Sequence, residues 1–213
     1  MMVPHMMVPM ALLLAVLLLA APSTHARLTG LHDRGADLAP PPRVVPCEKP
    51  VARAEVDFPK ELLNFDAAAK FKMHSGYINV TAEDYLFYWH FAAQVDALDG
   101  APIILWSNGG PGCSAMEGAT TEHGPLVLFD IKESVLGHSG QLSPNPYAWN
   151  KHAHVVYVDQ PRYVGFSCGT GPYVTSSVDA GLDIVQFIQG WKKQFPEHAH
   201  RPWIIAAESY GGH

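Results

Sequence analysis

The sequence predicts an α/β protein built on a mostly parallel central sheet with flanking helices, and three observations carry that prediction. Pro102–Trp106, His154–Val158 and Trp203–Ala207 are short apolar runs of the kind that form buried strands. One long stretch with helical spacing, Val178 to Phe195, lies between the second run and the third. Strand, helix, strand is the order of a parallel pair joined by a crossover.

The composition agrees. The chain has 213 residues, 48% hydrophobic and 16% charged, which suits a globular protein and excludes a disordered one. The net charge of -6 comes without any run of Lys or Arg, so no nucleic-acid partner is expected.

Taken in order, Met10–Ala21 is an unbroken apolar run. It is too short to cross a bilayer, which takes about 20 residues. Thr24-His25-Ala26 follows it, so residues 1–26 read as a signal peptide, with entry to the secretory pathway and no stable membrane anchor. Residues 27–68, with Pro40-Pro41-Pro42, read as a propeptide-like or extended N-terminal arm without a core of its own. Residues 69–213 read as the folded domain. Phe71–Val80 and Tyr85–Phe91 flank Ala82-Glu83-Asp84 and predict a hairpin. The helix is expected to bury Val178, Leu182, Val185, Ile188, Trp191 and Phe195, with Ser176 or Ser177 as its cap and Pro196 as its stop.

Cys47, Cys113 and Cys168 are an odd number, so one thiol is free or its partner lies outside this chain. Asn79-Val80-Thr81 is a candidate glycosylation site. His-x-His occurs at 152–154 and 198–200 without an accompanying carboxylate, which reads as surface histidines rather than a metal site.

Two stretches carry chemistry. Ala207-Glu208-Ser209-Tyr210-Gly211 follows the third strand and places a serine on a strand-to-helix turn, departing from G-x-S-x-G only in its first residue. Asn108-Gly109-Gly110-Pro111-Gly112-Cys113-Ser114 follows the first strand, and its glycines free backbone N–H groups for an oxyanion. No G-K-[ST] follows, so it is not a nucleotide loop.

These stretches, with Ser75–Val80, Leu86–Trp89, Glu122-His123-Gly124-Pro125, Asn145–Asn150, Val158–Pro161 and Gly165-Phe166-Ser167, resemble the serine carboxypeptidases of the α/β-hydrolase fold over residues 70–213. The resemblance implies the N-terminal part of that fold, incomplete at the C-terminus. It implies Ser209 as nucleophile and the N–H groups of Gly110 and Tyr210 as oxyanion hole. Asn108, the Gly109 N–H, Glu122 and Glu208 would grip the terminal carboxylate of a peptide or protein substrate. Two glutamates beside that carboxylate require a retained proton, so binding should favour acidic pH. Cys113 would be half of a disulfide whose partner comes later. No cofactor is implied, and the compartment would be extracellular, vacuolar or lysosomal.

The family's chain order puts the Asp and His of the triad after the serine. None of His123, His152, His154 or His213 suits the base, so the chain as given is expected to be inactive. Arg162-Tyr163 replaces a small, glycine-containing segment of the family, and Tyr163 is expected to reshape the side-chain pocket. Two other readings remain open: a related acyltransferase, disfavoured by the intact Asn108, Glu122 and Glu208 set, and a non-catalytic secreted peptide-binding protein.

Overall fold

The computed structural model describes residues 46–48, 50–57, 71–94, 100–128 and 142–213. The expected signal peptide, and residues 27–45, 49 and 58–68 of the expected arm, lie outside the described residues.

The hairpin forms from the two aromatic-rich runs that predicted it. β1 (Ala54–Glu55) is a short edge strand; β2 (Met73–Asn79) and β3 (Asp84–Phe91) pair antiparallel, from Met73 opposite Phe91 to Asn79 opposite Tyr85. Along β3 the alternate residues Asp84, Leu86, Tyr88 and His90 are buried, which pins the register, because a one-residue slip would turn them all outward.

The three apolar runs become β4 (Ile103–Ser107), β7 (His154–Val158) and β9 (Trp203–Ala207). Every residue of β7 is buried, as befits a strand covered on both faces. The main sheet runs β1-β2-β3-β7-β4-β9. β7–β4 and β4–β9 are parallel, whereas β1–β2, β2–β3 and β3–β7 are antiparallel. The described sheet is therefore mixed, not mostly parallel, because the tightly turned hairpin docks against the parallel trio through β3. β5 (Leu126–Val127) and β6 (Ser143–Pro144) form a separate small ladder. β8 (Cys168–Gly169) lies beside the start of β3, and Cys168 is disulfide-bonded to Cys47, tying residues 46–57 to the sheet.

Helix α1 (Ser177–Gln194) begins as predicted, with the Ser176 side chain accepting the Asp179 N–H. Its buried face is the predicted one only at the C-terminal end, where Trp191 and Phe195 are buried and Ile188 packs on the core. Val178, Leu182 and Val185 are 73%, 59% and 48% exposed, while Asp183, Phe187 and Trp191 are buried. The predicted residues recur on average every 3.4 or so positions, short of a helical turn, so that stripe rotates around the helix by about 100° from end to end. Only its C-terminal half meets the sheet, where Phe187, Trp191 and Phe195 pack on Ile78, Leu86, Tyr88 and Val156.

Asp183 is drawn into the interface by charge. Arg162 donates to both its oxygens, at 2.7 and 2.8 Å, and to Asp84 at 3.0 Å. Burial pushes the Asp84 carboxyl up, but hydrogen bonds from Tyr163, Thr81 and Gly171, with the Arg162 charge, outweigh it and hold the group below its ordinary value. The Tyr163 hydroxyl lies 2.7 Å from Asp84 Oδ1 and 2.6 Å from the Gly171 carbonyl. Tyr163 thus belongs to this network.

The start of the parallel strands carries a second polar cluster. His74 stacks on His90 at 5.6 Å, His90 on His154 at 5.5 Å, and His154 meets His198 at 4.3 Å. His154 is buried and His198 partly so, which corrects the surface reading of these two; His152 and His200 are exposed. Arg53 donates to His74 Nε2 and pairs with Glu197 at 3.0 Å. Among the described residues no group of three or more His, Cys, Asp or Glu side chains is arranged to hold a metal ion.

Burial lowers His74, His90 and His198 below 6.5, helped by Arg53 at His74, by the neighbouring histidines at His90 and by Arg201 at His198. These rings are neutral when folded and protonate more readily when unfolded, so their contribution is complete above pH 6.5 and drains as the pH falls below it. Urea titrations should find the chain less stable at pH 5.5 than at 7.5, and His90→Leu should flatten that slope; an unchanged slope would contradict the assignment. Arg162→Ala strands two buried carboxylates and should cost about 3–5 kcal/mol, read from the same titrations.

Candidate active site

The site grows out of the register of two parallel strands. Ser107 lies opposite Ala207 in the β4–β9 pair, and the Glu208 N–H bonds the Ser107 carbonyl at 3.2 Å. The next residues of each strand, Asn108 and Glu208, are therefore neighbours, and Asn108 Nδ2 donates to Glu208 Oε2 at 3.0 Å. The same nitrogen donates to Glu122 Oε1 at 3.3 Å. Glu122 reaches the site from the end of a one-turn π-helical segment, Gly118–Glu122.

The orientation of the Asn108 amide is dictated by its other end. Oδ1 accepts from the Trp106 indole at 2.7 Å and from the Gly118 N–H at 3.3 Å. An indole nitrogen only donates, so the amide oxygen must face Trp106 and the NH2 must face the carboxylates. Asn108 is buried, whereas Glu122 and Glu208 are exposed.

Ser209 sits on a sharp turn after β9, with φ 52°. A β-carbon is crowded there, which costs on the order of 1–3 kcal/mol. A 3-10 turn, Ser209–Gly212, follows, and the Gly211 N–H returns to the Glu208 carbonyl at 2.8 Å. The glycine loop presses directly onto this turn. A β-carbon at position 109 would lie 2.8 Å from the Tyr210 nitrogen and 2.9 Å from the Ser209 β-carbon, so only glycine fits. Gly110 has φ 110°, also glycine territory. Among the described residues, nothing accepts the N–H of Gly110 or Tyr210, and no side chain hydrogen-bonds the Ser209 hydroxyl. A cleft of about 180 Å³ opens here, lined by Asn108, Gly109, Tyr210 and the first turns of α1.

Buried Asp159 holds the loop from behind. Its carboxylate accepts from Ser114 Oγ at 2.6 Å, the Ala115 N–H at 2.8 Å and the Phe166 N–H at 2.9 Å. Burial raises its carboxyl, and those hydrogen bonds pull it partly back. Gln160 Nε2 donates to Ser107 Oγ at 2.7 Å.

All the candidate site residues read from the sequence around Ser209 thus fall in one place. The sequence missed the supports: Trp106, Asp159 and Gln160 lie inside recognised stretches, but nothing in their spacing reveals what they hold. Asn79 is exposed at the end of β2. Cys113 is unpaired and exposed, and the disulfide joins the two cysteines that the sequence left unassigned. His213 packs against the Tyr210 ring at 4.9 Å.

The Ser209 backbone makes a stability prediction. Ser209→Gly should relieve the left-handed strain and raise stability by about 1 kcal/mol in urea titrations, while Gly109→Ala should lower it; a destabilising Ser209→Gly would contradict the strained turn.

Comparison with known proteins bears on what this arrangement is. Residues 59–213 match the family model described as serine carboxypeptidase. Carboxypeptidase Y homolog A of Pyrenophora tritici-repentis is 42% identical over 145 residues, covering 68% of this chain and 25% of that protein. The Leptosphaeria maculans protein of the same name is 41% identical over 145 residues, with the same coverage of both chains. That of Trichophyton rubrum is 40% identical over 167 residues, 76% of this chain and 29% of that one. The chain spans about a quarter of the length of the curated relatives it matches. With a family match across most of its length, the chain belongs to the serine carboxypeptidase family.

Proposed function

We propose that this chain carries the nucleophile, the oxyanion hole and the carboxylate site of a serine-type carboxypeptidase of the α/β-hydrolase fold. The reaction is removal of the C-terminal residue of a peptide through an acyl-enzyme. The observation that supports it most is the convergence of Asn108, Glu122 and Glu208 beside the strained Ser209.

Ser209 Oγ attacks the last peptide carbonyl, and the oxygen that becomes negative is held by the N–H groups of Gly110 and Tyr210. Loss of one such donor costs roughly 3 kcal/mol of barrier lowering. Asn108, the Gly109 N–H and the two glutamates hold the free carboxylate one residue away, which fixes which bond is attacked. Two ionised glutamates would repel that carboxylate, so one of them carries a proton when substrate is bound. The hydroxyl also needs a base, and among the described residues no histidine is hydrogen-bonded to it; on this reading the chain alone binds without turnover.

A secretory route fits the Cys47–Cys168 bridge, which belongs to oxidising surroundings. Among the described residues, no helix is long and apolar enough to cross a membrane.

The test is a binding titration of the 213-residue chain with an N-acyl dipeptide and its C-terminal amide. The free acid should bind at pH 5 and the amide should not. Affinity for the acid should fall toward pH 7, by at most about tenfold per pH unit for one proton. Equal binding of acid and amide, or affinity indifferent to pH, would refute the reading.

A further inference from the structure

The hairpin carries a face that the site at Ser209 does not use. Side chains alternate across a strand, and residues directly opposite in an antiparallel pair share a face. His74, Gly76 and Ile78 of β2 are buried on the side where Ile78 meets Phe187 and Trp191 of α1. Tyr77 and Asn79 therefore point to the other side. Tyr77 pairs with Phe87 and Asn79 with Tyr85, so both β3 aromatics share that second face.

The result is a row of partly uncovered rings. Tyr77 lies 5.4 Å from Phe87, and Phe87 lies 5.1 Å from Phe166, which is 61% exposed. Tyr77, Tyr85 and Phe87 are partly exposed, and Asn79 at the end of the strand is fully so. Among the described residues, nothing hydrogen-bonds the Asn79 side-chain amide. Asn79 is also the only asparagine of the chain followed two positions later by Ser or Thr. On the far side of Tyr85 lies Cys168, whose bridge to Cys47 belongs to the oxidising compartment where such asparagines are modified.

We propose that Asn79 carries an N-linked glycan whose first sugar lies on this aromatic row, against Tyr77 and Tyr85.

The donor is an oligosaccharide held on a lipid pyrophosphate. Asn79 Nδ2 forms a bond to the anomeric carbon of the first sugar. The bond from that carbon to the pyrophosphate oxygen breaks, the pyrophosphate leaves with the electron pair, and Nδ2 gives up one of its two protons. Transfer precedes closure of the hairpin, because in the folded chain the Thr81 hydroxyl is occupied. It donates to Asp84 Oδ2 at 2.7 Å and accepts the N–H groups of Glu83 and Asp84 at 3.2 and 3.0 Å.

Geometry then sets where the sugar rests. Tyr85 stands directly across from Asn79, with β-carbons about 5 Å apart. Tyr77 stands two residues back on the same face, about 7 Å along the strand. Both rings are within reach of a sugar attached to the amide. An aromatic ring is negative on its face, and the C–H groups of a sugar are slightly positive, so the two stack. The amide also selects this occupant. A protein partner or a second copy seated on the rings would have to bury Asn79 with no bond in sight for it, whereas the glycan uses that nitrogen as its anchor.

The experiment expresses the 213-residue chain in a eukaryotic secretory host and weighs the peptide containing Asn79 before and after the amidase that removes N-glycans. The expected result is a carbohydrate mass that the amidase removes, leaving Asp at that position, and that Asn79→Gln lacks. An unmodified Asn79 would overturn the proposal. This readout survives any folding defect, because transfer comes first. The resting place is read by NMR of the unsubstituted glycoprotein. Protons of the first sugar should show Overhauser contacts to the Tyr77 and Tyr85 rings and upfield ring-current shifts, and those shifts should shrink in Tyr85→Ala. A sugar without such contacts would overturn the packing. Sedimentation of the glycosylated chain and of Asn79→Gln should show the glycosylated form to be the less prone to associate; equal association of the two would give the face to a second copy. None of these measurements involves Ser209 or a peptide, so their failure is distinct from failure of the dipeptide to bind.

Discussion

The site depends on one hydrogen bond, from the Trp106 indole to Asn108 Oδ1. An asparagine amide is close to symmetric in shape, and without a fixed donor at one end it has two orientations of similar packing. The indole removes the ambiguity. It leaves Asn108 with two N–H bonds to give, and the β4–β9 register sets Glu208 where one of them lands. Glu122 takes the other from a segment whose first N–H also bonds Asn108. A side chain that receives at one end and donates at the other thus joins a strand end, a helical turn and the residue before Ser209.

The rest of the fold keeps that geometry from relaxing. Gly109 lies against Ser209 and Tyr210 so closely that the loop cannot shift toward the turn. Asp159 grips the far side of the same loop through the Ser114 hydroxyl and the Ala115 N–H, and ties it to the Phe166 N–H of the segment after β7. The left-handed backbone of Ser209 is unfavourable in itself, and it persists because β9 fixes the residues before it and the Gly211 N–H closes the turn after it. Strain at Ser209 is thereby held by rigid elements on both sides.

Much of this was legible in the sequence, for identifiable reasons. β7 and β9 match the apolar runs residue for residue, but only β7 is the buried strand those runs predicted; Ile204 and Ile205 of β9 are exposed at the edge of the described sheet. Ser176 and Pro196 marked the helix ends because capping is local chemistry. The buried face of α1 was legible at its C-terminal end, in Trp191 and Phe195, but not in its N-terminal half. There it turns on Asp183, a polar residue made burial-competent by Arg162, which lies 21 positions away in sequence. The hairpin was legible as a hairpin, but its antiparallel docking onto β7 was not, because strand order is set by long-range packing. In the site, the glycines announced themselves through spacing, whereas the carboxylates Glu122 and Glu208 were implied only by the family resemblance. The roles of Trp106, Asp159 and Gln160 emerge only when the fold brings their partners within hydrogen-bond reach.

The Cys47–Cys168 bond encloses most of the folded chain in one covalent ring, its ends 121 positions apart. Any single break of the main chain inside that ring leaves two pieces still joined through sulfur. Proteolytic trimming of the leading segment downstream of Cys47 therefore yields a two-chain molecule and sheds nothing, until a reductant opens the bridge.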